Sequence, residues 1–450
     1  MTLKHFLSLA ALALCSLHLP AQAWSNHALS SYRALEVLPE VRDAAPVRAE
    51  PLEAFLAAQG PAIARLLQAQ EAWAREHIAH YPPLPPALRL DADHLPSAPK
   101  ALRQAFLKAL RVSPDSRLAL YVQPDPHGTP PPGEAMPHEQ VSALPHRDKD
   151  GEAHRFVRVQ PGQLLAALAV LASASDEPDY GMDVNLWEDS PGPWGQQFGL
   201  GKLPFGNPKL DFSTQAPFHM GFYDESPILY AAAGFLRRTY PLLRLHQYQG
   251  LSELAFQSGH PYWGWRFAGL AMHYVQDMTQ PYHARLAPGF GTARMIGIQL
   301  RALLGMPQAR DDMVVLLSNR HFVLERYASQ LNPVDASAPR GNALERALAD
   351  TGTDTAQGAW TATALRDTVA RQSYGLGEAV TAQLLASVPS AYVDDPGFDF
   401  GAEGGDIDVM AEVERQKPQT QAALDASIAR LMRHFGAHSR NLVRAILAAR

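Results

Sequence analysis

The residues best suited to chemistry stand close together in the segment Gly269-Leu-Ala-Met-His273-Tyr-Val-Gln-Asp277-Met-Thr-Gln-Pro281-Tyr-His283. His273 and Asp277 are four apart, so on a helix they share a face and can bind one cation together. Pro281 has no amide hydrogen and should distort or end that helix, after which the chain turns to deliver His283 nearby. Further on, His321 and Glu325 repeat the device with the same spacing. Neutral imidazole and carboxylate suit zinc, and three protein ligands plus water is the usual catalytic arrangement. A histidine and an acid four apart also occur on exposed helices that bind nothing, and either pair alone would be read that way. Both pairs, however, sit within otherwise apolar runs, Leu270 to Val275 and Val314 to Leu324, where unpaired polar groups are costly to bury. Together they favour a metal site.

The elements that must position these residues read as helices. Ala28, Leu29, Tyr32 and Leu35 mark a helix start between Trp24 and Leu38 that Pro39 should close, and a second helix is expected from Leu52 to Ala79. Pro82 to Pro145 is rich in proline and reads as an irregular insertion with one short helix near Ala101 to Leu110. A helix from Pro161 to Ser175 precedes another Pro- and Gly-rich stretch, Glu177 to Pro217. Ala- and Leu-rich segments then dominate, at roughly 226–258, 261–285, 293–304, 311–331, 342–350, 356–388 and 420–449. Strand patterns are scarce, so the expectation is an all-α, multihelical domain with long loop insertions.

At the start, Lys4 and His5 precede an apolar run from Phe6 to Leu19 and the pattern Ala21-Gln22-Ala23, which reads as a signal peptide over residues 1–23 cleaved between Ala23 and Trp24. That run is too short to span a bilayer, and no later stretch reaches the roughly 20 apolar residues a membrane helix needs. The expected product, residues 24–450, is exported to the periplasm or beyond, with no transmembrane segment. Cys15, the only cysteine, falls in the removed segment, which leaves no disulfide and no thiolate ligand. Against 45 acidic residues the chain has 39 basic ones, of which Lys4 is removed, for a formal charge of about −7. This does not advertise a nucleic-acid binder, nor exclude one, because bound cations add positive charge that a residue count misses.

The His273–His283 segment resembles the His-x3-Asp-x5-His signature of the zinc-dependent bacterial phospholipases C and the related single-strand-specific zinc nucleases, including Thr-Gln-Pro before the last histidine. His321-x3-Glu325 is similar to that family's second signature. The family begins its mature chain with a tryptophan that binds zinc through its amine and carbonyl, and Trp24 follows the expected cleavage site. His27-Ala-Leu-Ser-Ser-Tyr-Arg33-Ala34 resembles its early histidine helix. Glu177-Pro178-Asp179-Tyr180 resembles the phospholipase version of the loop that supplies an aspartate, which selects Asp179 with Asp176 in reserve. His219 precedes Phe222-Tyr223-Asp224, two residues further from that aromatic-aromatic-Asp motif than the family has it. Resemblance covers Trp24 to about Leu38 and Val170 to the C-terminus; the stretches of about 45–165 and of Pro288 to about Asp312 have no counterpart.

The resemblance implies about three Zn2+ ions: one on Asp179, His219, His273 and Asp277, one on His283, His321 and Glu325, and one on Trp24, His27 and a shared Asp277. It implies in-line displacement at phosphorus by an activated water, with Asp179 orienting or deprotonating it. Phe222, Tyr223 and Asp224 are the expected substrate contacts. Phospholipid and nucleic acid both present a phosphodiester, and the Asp179 loop with the Phe222-Tyr223-Asp224 motif, the missing disulfides and the apolar stretch 291–306, which reads as an ordinary core helix or as one resting on a membrane surface, favour the lipid enzyme over the nuclease. Phe222 or Tyr223 could equally stack on a base. A noncatalytic exported scaffold with structural zinc is the alternative from another class. His434 and His438 imitate a metal pair without a family counterpart, and His77 and His80 read as solvated. Neither a dinucleotide loop nor a serine-hydrolase elbow is present.

Overall fold

The computed structural model describes residue 24 and residues 26–144, 156–331 and 340–450. The expected signal peptide lies outside the described residues. The described residues are mostly helical and include two pairs of two-residue antiparallel strands, Val47–Arg48 on Leu164–Leu165 and Tyr121–Val122 on Val157–Arg158. No described helix is long and apolar enough to cross a membrane.

The longer helices are α1 (His27–Leu35), α2 (Leu52–His77), α3 (Pro99–Ala109), α4 (Ala167–Ser175), α5 (Pro241–Gln257), α6 (Pro261–Asp277), α7 (Thr292–Leu303), α8 (Gln308–Leu331), α9 (Ala343–Ala349), α10 (Arg371–Ser387), α11 (Val409–Gln416) and α12 (Pro418–Ala448). Helix α6 is the hub. Every residue from Tyr262 to Asp277 is buried, and it packs on α4, α5 and α12. A helix buried on all sides sits at a core centre, and the two candidate ligands expected on it, His273 and Asp277, are fully buried. Gly269 makes the α4 crossing possible, because a Cβ there would stand 2.4 Å from Leu171 O.

The unmatched stretch at 45–165 joins the main core, to which it contributes Leu52, Phe55, Ile63, Leu67, Phe106 and Leu107. Helix α2 packs on α3 and α5. Its length comes close to expectation, with Pro61 inside it.

Several boundaries differ from the sequence reading. Pro39 opens a short helix, Pro39–Arg42, instead of closing α1. The helix expected from Pro161 begins at Ala167, after Leu164–Leu165 has paired as a strand. The segment 226–258 divides into Pro227–Ala232 and α5, and 261–285 into α6 and Pro281–Ala284. In the segment 356–388 the helix starts only at Leu365, first with π geometry to Ala370 and then as α10. At Pro39, Pro227, Pro241 and Pro281 the proline occupies the first helical turn, where its missing amide hydrogen has no partner to lose.

Candidate metal centre

The site is assembled from segments spread between His27 and Glu325. Helix α1 is started by Asn26, whose side chain accepts from Leu29 N, and brings in His27 as its first residue. Asp176, the reserve ligand, instead anchors this helix by accepting from Ala28 N at 3.1 Å. Helix α6 carries His273 and Asp277 at its end; the loop after α4 carries Asp179; the short helix Ala216–His219 ends on His219. After α6, Gln280 caps the next turn by accepting from Tyr282 N at 2.6 Å, which sets His283 in place. Helix α8 presents His321 and Glu325 on one face.

These side chains converge into three groups that could hold a metal ion: His27, His273 and Asp277; Asp179, His219 and His273; and His283, His321 and Glu325. The first two share His273, which the sequence reading had put in only one of them. Asp277 lies between them. Its Oδ1 is 3.3 Å from His27 Nε2, and its Oδ2 is 2.8 Å from His219 Nδ1 and 3.2 Å from His273 Nε2. In the third group His321 Nε2 is 3.1 Å from His283 Nε2 and 2.7 Å from Glu325 Oε1.

The surroundings fix which ring nitrogens carry protons. His273 Nδ1 donates to Ser175 O at 2.7 Å, and His283 Nδ1 donates to His219 O at 2.8 Å. A carbonyl can only accept, so in the neutral rings Nε2 carries the lone pair. His27 Nδ1 lies 2.7 Å from Gln276 Oε1, and the amide nitrogen of Gln276 donates to Ser31 and Ser439. Three histidines therefore point lone pairs inward at carboxylate oxygens or at another imidazole. His27 Nε2, Asp179 Oδ1 and Asp277 Oδ1 are buried with no hydrogen-bond partner. Inward-facing acceptors in a buried site call for positive charge among them, which a proton on His219 supplies in part and which a metal ion held by the residues present would supply more fully.

Charge in the site is strongly redistributed. Burial pushes Asp179 up to about 7 against the pull of His219 and His27. Burial alone would raise Asp277 too, but His273, His219 and His27 hold it well below the usual carboxylate range. Burial, reinforced by His321, pushes His283 down to about 3, which leaves its imidazole neutral. Burial also opposes charge on His219, yet Asp183 and Asp277 raise it to about 10. His219 thus holds a proton that a bound cation would replace.

Asp183 was not singled out in the sequence. It is fully buried, takes Arg244 Nη2 at 2.6 Å and the Tyr274 hydroxyl at 2.6 Å, and stands 3.4 Å from His219 Nε2. It turns the other face of His219, Nδ1, toward the cluster. Gln280 was also missed, and its amide donates to Glu325 Oε1 at 3.1 Å. Neither has a sequence signal beyond its place near a ligand.

Trp24 is buried, with its indole donating to Thr279 Oγ1 at 3.1 Å, just beyond α6. Phe222 lines a small, largely apolar cavity of about 60 Å³ with Phe205, Met220, Tyr282, Leu317 and His321, one wall of which is thus a candidate ligand. Tyr223 borders a second cavity of about 230 Å³ that contains Arg237 and Arg366, and Asp224 pairs with Arg371 at 3.2 Å. His438 is buried and bonds Gln372 at 2.9 Å, and neither it nor His434 belongs to the three groups. His77 is half-buried and stacked on Trp73 with ring centres 4.7 Å apart, whereas His80 is exposed. No family model, curated protein or solved structure matches the chain.

Proposed function

We propose that the chain is an exported, zinc-dependent phosphodiester hydrolase of the phospholipase C type, folded like the phospholipase C and nuclease family its motifs resemble. One observation carries the reading: three largely buried groups of imidazole and carboxylate converge, with ring nitrogens of His273 and His283 turned inward. Nitrogen and oxygen donors without thiolate suit zinc. About three ions would be held, by Asp179, His219, His273 and Asp277, by His283, His321 and Glu325, and by His27 with Asp277 and the freed main chain of Trp24. Zinc at such a site supplies Lewis-acid stabilisation of phosphoryl oxygens and an acidified water.

The protein's own groups then have distinct tasks. Asp179 is the group suited to orient or deprotonate the attacking water, since its carboxylate is the most exposed of the candidate side-chain ligands and lies within 4 Å of His27, His219 and His273. Asp277 stays ionised and bridges two groups. Asp183 and the carbonyls of Ser175 and His219 keep the histidine rings in one orientation. The cavity between Phe222 and His321 accepts an apolar portion of the substrate and has few polar partners for the edge of a base, which favours a lipid over a nucleic acid.

The test is metal content of protein beginning at Trp24, followed by assays for diglyceride release from lecithin and nucleotide release from single-stranded nucleic acid. About three zincs with diglyceride release is the expected result. Nucleotide release alone would make the chain a nuclease, and zinc without either activity a noncatalytic scaffold.

A further inference from the structure

Helix α7 and the turn after it carry an apolar face that the metal site does not explain. Among the described residues the exposed large hydrophobic side chains are Leu164, Ile228, Leu300, Leu304 and Met306, and three of these five cluster at the end of α7. Leu300 is 56% exposed, Leu304 76% and Met306 54%. Single exposed leucines are ordinary, but this group sits on a helix that buries only Ile298 and whose charged residues are two arginines, Arg294 and Arg301, with no acid. Neither arginine pairs with a carboxylate among the described residues, whereas the acids that follow are engaged, Asp311 with Arg310 and Asp312 with Gln308.

The underside of α7 has the same mixed chemistry. A cavity of about 490 Å³ separates it from α8, lined by Phe290, Ile298, Met313 and Leu316 with two arginines, Arg294 and Arg301, and one acid, Asp312. Met313 also lines the cavity beside His321, and Met295 of α7 packs on the cluster containing Met220 and Phe222. An amphipathic helix with exposed leucines and two arginines that no described carboxylate pairs, Arg294 lying over the Phe290 ring at 4.6 Å, and connected by packing to the candidate catalytic cavity, matches the charge and polarity of a lipid interface.

We infer that α7 and the turn at Leu304–Met306 dock on an anionic phospholipid surface, with Leu300, Leu304 and Met306 among the acyl chains and Arg294 and Arg301 at the phosphates. The purpose of this docking rests on the phospholipase reading: it brings the cavity beside His321 to the bilayer that holds the substrate.

The experiment compares the zinc-loaded full chain with the double variant Leu300→Asp/Leu304→Asp in sedimentation with vesicles of phosphatidylcholine alone or mixed with phosphatidylglycerol. Both positions are exposed, so the variant should fold and should hydrolyse a small water-soluble phosphodiester at the rate of the unchanged chain. The unchanged chain is expected to sediment with mixed vesicles, with affinity falling about tenfold or more per leucine replaced. Arg301→Ala is expected to erase much of the preference for mixed over neutral vesicles. Failure of the unchanged chain to bind, or equal binding by the double variant, would overturn the inference, as would retention on single-stranded oligonucleotide that the double variant loses in place of vesicle binding. Leucine-dependent vesicle binding by a protein that hydrolyses no phosphodiester would uphold the docking surface and reject the enzymatic reading.

Discussion

Asp277 has two oxygens with different neighbours, His27 on one side and His219 with His273 on the other. Replacing it by asparagine preserves shape but removes the negative charge that both sides use. Asp277→Asn should therefore reduce zinc by more than one ion per chain, read by elemental analysis, while His434→Ala leaves the count unchanged; an undiminished count in the first variant would show that the groups do not share this residue. The N-terminus makes a separate claim. If the Trp24 amine is a ligand, one additional residue before it should lower zinc content and activity together, and equal values would remove Trp24 from the set. The candidate pairs His273/Asp277 and His321/Glu325 were legible because their types recur at helical spacing on apolar segments, whereas Trp24, His27, Asp179 and His219 were reached only through the motif resemblance. What orients them was not legible: the carbonyls of Ser175 and His219 are backbone groups common to every sequence. Asp183 stands in an irregular loop where spacing predicts no face.

Among the elements, the crossing of α4 over α6 sets the geometry of His273, because its Nδ1 bonds the last residue of α4. The crossing depends on Gly269, whose missing Cβ leaves room for Leu171 O and the Ala174 methyl, 2.4 and 2.6 Å from where a Cβ would stand. Gly269→Ala would gain helix propensity but force the helices apart, with a net loss of about 1–3 kcal/mol typical of overpacking. Urea unfolding should show a lower midpoint, and zinc affinity should fall with it as Ser175 O withdraws; a midpoint equal to or above that of the unchanged chain would mean α4 yields without strain. Helix existence was readable from apolar periodicity for most of the longer helices, but α11 went unseen between 388 and 420 and proline was misread at Pro39. The same residue type that ends a helix in its interior begins one in its first turn, and only the conformation of the preceding residues distinguishes the two.

At the scale of the whole molecule, the 45–165 stretch shares the main core, which explains why its packing could not be inferred from motifs: its partners, such as α5, are remote in sequence. One consequence is an acid sensitivity independent of the metal. His246 of α5 stacks on Trp73 of α2 with ring centres 3.7 Å apart, and burial, with His77 nearby, lowers it to about 4. The unfolded chain takes up this proton as pH falls through about 6.5, whereas the folded chain resists until about 4. More protons are then bound by the unfolded state across that window, so the stabilising effect is complete above about pH 6.5 and is lost as pH falls toward 4. His438, pushed down to about 3 by burial and His434, acts in the same direction and extends the loss to lower pH. At about 1.4 kcal/mol for each unit of displacement, His246 accounts for roughly 2–4 kcal/mol of the decline. His246→Phe keeps a ring on Trp73 and removes the titration. Measured by denaturant unfolding of chelator-treated protein, where ligand protonation affects both chains equally, the variant should lose that much less stability between pH 7 and pH 4. Parallel pH profiles would show that His246 is already solvated enough in the folded chain to take up its proton at the ordinary pH.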